Sequence, residues 1–140
     1  MLATPGALLS AVVTILAVLE FFYFGIRVGG MRTKHNILAP ATTGHPEFER
    51  AFRVHYNTLE SLLVFLPLLW VATIYLRTIG WLPAAFGLVF IVGRYIYMTL
   101  YMSDPAKRGP GTGIGALAML GLLVLAIIGI VQSWGAVTTG

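Results

Sequence analysis

The sequence predicts an all-α integral membrane protein, a bundle of four helices forming one domain over residues 1–140. Three observations carry this reading. Of the 140 residues 58% are hydrophobic and only 10% charged, whereas a soluble globular domain carries roughly 25% charged residues. Four apolar runs each approach the ~20 residues that a helix needs to cross a hydrocarbon core. The stretches between these runs gather the Arg, Lys, Pro and Gly residues that punctuate helices and flank membranes.

The first run covers about residues 8–28. No Lys or Arg precedes it and no clear small-residue cleavage site follows it, so it is expected to remain as a span rather than act as a signal peptide. A polar loop, "GGMRTKHNILAPATTGHPEFER", leads to the second helix. His45-Pro46 followed by Glu47 and Glu49 predicts a helix start, with Pro pre-setting the first turn and the acids facing the positive end of the dipole. The second helix therefore spans about residues 47–76 and runs several turns before its apolar part begins near Tyr56. The link "RTIG" is too short for anything but antiparallel neighbours, and the third span follows at about 81–102. "SDPAKRGPGTG", rich in Pro and Gly, is expected to break the helix before the fourth span at about 114–134.

Charge orients the chain. The first loop holds Arg32, Lys34 and Arg50, with Arg27 and Arg53 at its helix ends, and the third holds Lys107 and Arg108; the opposite side has only Arg77. By the excess of basic residues in cytoplasmic loops, both basic loops are expected in the cytoplasm and both termini outside. The net charge of +4 then belongs to membrane-flanking loops and predicts no nucleic-acid partner. The chain has no cysteine, which excludes disulfides, thiolate metal sites and a cysteine nucleophile. Any thiol would arrive with a substrate, and neither a metal nor a redox cofactor is expected.

Polar residues entering the second span carry the chemistry. At 100° per residue, Glu49, Arg53, Asn57 and Glu60 fall on one stripe, with Arg50 at its edge and His55 on nearly the opposite face. Arg53 to Glu60 extends about 10 Å along the axis. The structural alternative is that these residues satisfy one another, since Glu49 and Arg53, and Arg53 and Asn57, stand four apart. Against it stands the cost of charge inside a membrane, which marks such residues as functional. Arg94, Tyr97 and Tyr101 share a face of the third helix. The tyrosines alone would read as an interfacial belt, but Arg94 lies deeper and calls for an acid or an anionic ligand, with Glu60 or Glu20 as candidates. Glu20, in the middle of the first span, is open to three readings: proton site, ligand contact, or the favoured one of structural acceptor for Arg94 or Asn57. Several arginines above Asn57 and Glu60 suit a small zwitterion with more than one carboxylate, because guanidinium donates two parallel hydrogen bonds to carboxylate.

"PEFERAFRVHYNTLE" closely resembles the signature of the MAPEG family, the membrane-associated proteins in eicosanoid and glutathione metabolism. "GRYIYMTLYMSDPAKR" is similar to that family's Arg-x-x-Tyr-x-x-x-Tyr stretch and its following basic residue. The resemblance extends over nearly the whole chain and implies a homotrimer that binds glutathione between subunits near the cytoplasmic surface; the compact chain without organelle signals points to a bacterial member. It implies glutathione contacts from Arg53, Asn57, Glu60, Arg94, Tyr97 and Tyr101, with Arg32 and His55 supplied by the neighbouring subunit. It implies thiolate stabilisation by Arg108, with Lys107 beside it as the alternative, and a catalytic part for Tyr101. Glutathione would be a co-substrate, and an apolar electrophile would reach the site from the lipid bilayer of a bacterial inner membrane. The expected reactions are conjugation, a detoxification chemistry, and reduction of lipid hydroperoxides. Ser61 departs from the tyrosine that several catalytic relatives carry there. Two rival functions remain: a non-catalytic lipid-binding family member, and a small proton-coupled multidrug transporter, whose first-helix glutamate Glu20 would mimic.

Overall fold

A computed structural model describes residues 4–139. Four long helices form: α1 (Pro5–His35), α2 (Pro46–Tyr75), α3 (Leu82–Ser103) and α4 (Gly109–Thr138), with a 3-10 turn, Pro105–Arg108, before α4. All four are long and apolar enough to cross a membrane. Large side chains such as Ile26, Leu63, Leu117 and Val131 are exposed on the outside of the bundle, where hydrocarbon rather than water suits them. The protein is an integral, multi-pass membrane protein.

Local chemistry sets the helix ends. Thr4 caps α1, its hydroxyl accepting from the Ala7 amide at 3.2 Å, and Pro5 opens the first turn. α1 stops where Asn36 turns left-handed, after a last turn holding Arg32, Lys34 and His35, cations that suit the negative end of the dipole. His45 caps α2 through Nδ1, which accepts from the Glu47 amide at 3.2 Å. Both α1 and α2 thus reach well past their apolar runs at the basic end of the bundle.

α1 and α4 each pack on both α2 and α3. The core runs down the centre through Val13, Ala17, Leu62, Leu69, Ala118 and Leu122, with Phe65 and Phe90 stacked at 3.9 Å. Between lipid-exposed helices association depends on close packing, which small residues permit. Gly87 meets Val13, and Gly121 meets Phe86, at separations that leave no room for a Cβ.

The link after α3 differs from expectation. Asp104 ends α3 in an extended conformation and accepts from the Ala106 amide at 3.0 Å. After the single 3-10 turn, α4 begins at Gly109, so Pro110, Gly111 and Gly113 lie inside helix rather than in a loop. Pro is tolerated in a first turn, where its missing N–H has no helical partner. Gly111 lets α4 lie directly on the Tyr97 backbone, where any Cβ would collide.

Candidate functional site

The sequence stripe on α2 faces outward. Glu49, Arg53 and Glu60 are exposed and Asn57 is half-buried. Among the described residues, neither the Glu49–Arg53 nor the Arg53–Asn57 pairing of the structural alternative forms. Glu49 Oε1 accepts instead from the Gly44 amide at 3.0 Å, and Asn57 Nδ2 donates weakly to Glu60 Oε2 at 3.4 Å. Among the described residues, Arg53 forms no ion pair and no side-chain hydrogen bond.

The α3 stripe faces the other way, into the bundle. Arg94 and Tyr97 are buried and Tyr101 is half-buried. The Arg94 guanidinium lies 4.2 Å from the Tyr97 ring centroid, a cation–π contact. Tyr97 stacks on Tyr101 at 5.3 Å. Arg94 Nη2 donates to the Thr58 hydroxyl at 2.9 Å, and that hydroxyl donates to the Val54 carbonyl at 2.8 Å. Arg94 Nε is buried without a partner. The acidic partner expected for Arg94 is not in contact: among the described residues no ion pair joins it to Glu20 or Glu60.

Thr58 is the residue that sequence reasoning passed over. It belongs to the buried face of α2 with Ala51, Val54, Leu62, Phe65 and Leu69. A lone hydroxyl on that apolar stripe, in a chain with an intramembrane arginine to satisfy, was the available signal.

Three other expected residues lie apart. Arg32 is held by its own loop: Nη1 donates to the Ala41 carbonyl at 2.7 Å, and the guanidinium covers Phe48 at 4.7 Å. His55 stacks on Phe21 of α1 at 4.4 Å, in space that Gly25 leaves open, since a Cβ there would stand 3.2 Å from His55 Nε2. Arg108 is exposed at the end of the 3-10 turn. Arg50, at the stripe's edge, caps α3 by donating to the Met102 and Ser103 carbonyls at 3.1 and 3.3 Å. Arg94 and Arg50 bridge α2 and α3 toward the basic end, while the α2 stripe faces outward and the α3 stripe inward.

A cavity of about 620 Å³ lies at the other end of the bundle, lined by Trp70, Thr73, Ile74 and Trp81 among others. Arg53, Arg94 and Arg108 do not line it, so the chemistry rather than this void marks the site.

Residues 10–128 match the MAPEG family model. An uncharacterised protein of Synechocystis is 40% identical over 120 residues, covering 86% of each chain. Human microsomal glutathione S-transferase 2 is 38% identical over 120 residues, 84% of this chain and 80% of that one. Leukotriene C4 synthase of Cavia porcellus is 38% identical over 122 residues, 87% of this chain and 80% of that one. A match of this extent, over all or most of each of the four helices, places the chain in the MAPEG family.

Proposed function

We propose that the protein is a membrane-bound glutathione transferase that activates the glutathione thiol for attack on apolar electrophiles. The observation that carries this reading is Arg53: an exposed guanidinium without a side-chain partner among the described residues, one turn from Asn57, on a helix long and apolar enough to cross a membrane. A charge so placed in a membrane protein calls for a ligand or a neighbouring subunit. The name of the human relative, a microsomal glutathione S-transferase, supports glutathione as the ligand.

In this reading Arg53 takes a glutathione carboxylate bidentately, Asn57 holds a backbone amide, and Glu60 takes the ammonium. Arg108 stands beside the sulfur. A free thiol with pKa near 8.5 is mostly protonated at neutral pH. A fixed cation favours the anion, and lowering the pKa by about two units corresponds to about 2.7 kcal/mol. The thiol proton leaves to solvent, the sulfur lone pair forms the S–C bond, and the electrophile's leaving group departs with its bonding pair. A lipid hydroperoxide would instead be reduced at the expense of two thiols, giving an alcohol, water and glutathione disulfide. Tyr97 and Tyr101 line the approach.

The outward stripe needs a cover, because charge facing lipid is unfavourable. His55, nearly opposite Arg53 on the same helix, is half-buried against Phe21 of α1, and the part of it that remains exposed is what a neighbour would share. A homotrimer with sites between subunits supplies both, with Arg32 and His55 serving the adjacent site. The excess of basic residues in the first and third loops supports sites on the cytoplasmic side of a bacterial inner membrane, with both termini outside.

The test is a glutathione titration of detergent-purified protein across pH, read by the ultraviolet absorbance of thiolate. A saturable thiolate signal at neutral pH is expected. An intact oligomer without such a signal would reject the activated-thiol reading and favour a lipid-binding family member.

A further inference from the structure

The first loop brings together three side chains that play no part in the glutathione reading. His35 ends α1, His45 caps α2, and Glu47 stands in the first turn of α2. The two imidazoles stack at 3.6 Å with their planes 12° apart. Glu47 Oε2 lies 2.8 Å from His35 Nε2. One ligand atom from each of the three falls within 4.8 Å of the others, with His35 and Glu47 half-buried and His45 exposed.

We infer that His35, His45 and Glu47 form a binding site for a single divalent transition-metal ion of the zinc class, which clips the end of α1 to the start of α2. The donor set decides the class. Two imidazoles and one carboxylate suit zinc and its borderline neighbours, whereas calcium and magnesium demand mostly oxygen ligands. Nitrogen ligands about 2.05 Å from a tetrahedral ion stand about 3.3 Å apart, so the three atoms need to close by at most about 1.5 Å. Side-chain rotation supplies this, and it also turns the stacked rings so that their lone pairs converge. Water would complete the coordination.

A cation already occupies this corner. Lys34 Nζ donates to both Glu47 oxygens at 3.1 and 2.9 Å. Its side chain is 58% exposed, so its flexible stem can swing into solvent when an ion takes the carboxylate. The competition is a specific consequence of the geometry: Lys34 should oppose metal binding while belonging to neither the ligand set nor the glutathione site. The inference does not depend on the glutathione reading. It concerns a clasp at the mouth of the loop between residues 36 and 45.

The experiment uses tag-free protein in detergent, stripped with chelator and titrated with Zn²⁺ by calorimetry and with Co²⁺ by its ligand-field absorbance. One saturable site per chain is expected. His35→Gln and His45→Asn should each weaken it at least ~10-fold, since even outer-shell changes cost 10–100-fold. Asn at position 45 keeps a helix cap, so a loss there reports the lost ligand. Lys34→Gln should bind more tightly than the unaltered protein. Absence of saturable binding, or affinity unchanged in both histidine variants, would overturn the inference. If a histidine variant does not fold, Lys34→Gln decides alone: tighter binding supports the site, and unchanged or weaker binding overturns it.

Discussion

Arg53 and Arg94 are the same side chain on neighbouring helices, at the same end of the bundle, in opposite situations. Arg94 is buried, donates to Thr58 at 2.9 Å and lies over the Tyr97 ring. Arg53 is exposed and has no side-chain partner among the described residues. The first is held by its own fold, and its loss should be felt in stability. The second is left over by the fold, and its loss should be felt in binding. A charged residue within an apolar helix is thus a sign of function only after its partners inside the chain have been found.

The comparison is most exposed to failure at Arg94. Replacing it with Ala removes the guanidinium and opens a void between α2 and α3, and should lower stability by roughly 2–4 kcal/mol. Thermal unfolding in detergent would read this. A neutral Arg94→Ala would mean that the side chain is kept for ligand rather than for fold. Thr58→Val keeps the shape but strips the acceptor, and should cost roughly 1–3 kcal/mol, because the buried guanidinium is left less satisfied.

Arg53→Ala should leave the unfolding temperature where it is and weaken glutathione binding by about 10- to 100-fold, the worth of a charge-assisted hydrogen bond. Equilibrium titration of the variant checks both halves. Arg108→Ala should reduce turnover and raise the pH at which bound thiol ionises, with a smaller change in affinity. Equal loss of affinity in the two variants would erase the proposed division between holding the peptide and stabilising the thiolate. The smallest effect belongs to Ser61→Ala. Its hydroxyl donates back to the Asn57 carbonyl at 3.0 Å, a bond worth little in a helix. A change within ~0.5 kcal/mol in stability is expected, with unaltered binding; a clear loss of affinity would mark Ser61 as a ligand contact.

Much of this arrangement is legible along the chain. Helical periodicity sorts Glu49, Arg53, Asn57 and Glu60 onto one stripe and His55 onto another, because side-chain direction in a helix follows from spacing alone. The beginning of α2 at His45-Pro46 is equally local, since a cap and a first-turn proline need no partner elsewhere. The third link is less legible. Pro and Gly in "RGPGTG" read as a long break, yet α4 starts at Gly109, because Gly111 is used for contact with Tyr97 rather than for a turn.

The sequence by itself determined four apolar helices, a basic end, the polar stripe on α2 and the family signature within it. These depend on composition and on residues a few positions apart. Only the tertiary structure decided that Arg94 meets Thr58, 36 residues away, instead of Glu20 or Glu60. It also decided that Arg50 caps α3, that Arg32 is tied to its own loop, and that His35 and His45 stack beside Glu47. Each of those choices depends on which faces of two helices meet and in what register. Hydrophobic packing across the bundle sets that register, and no local pattern encodes it.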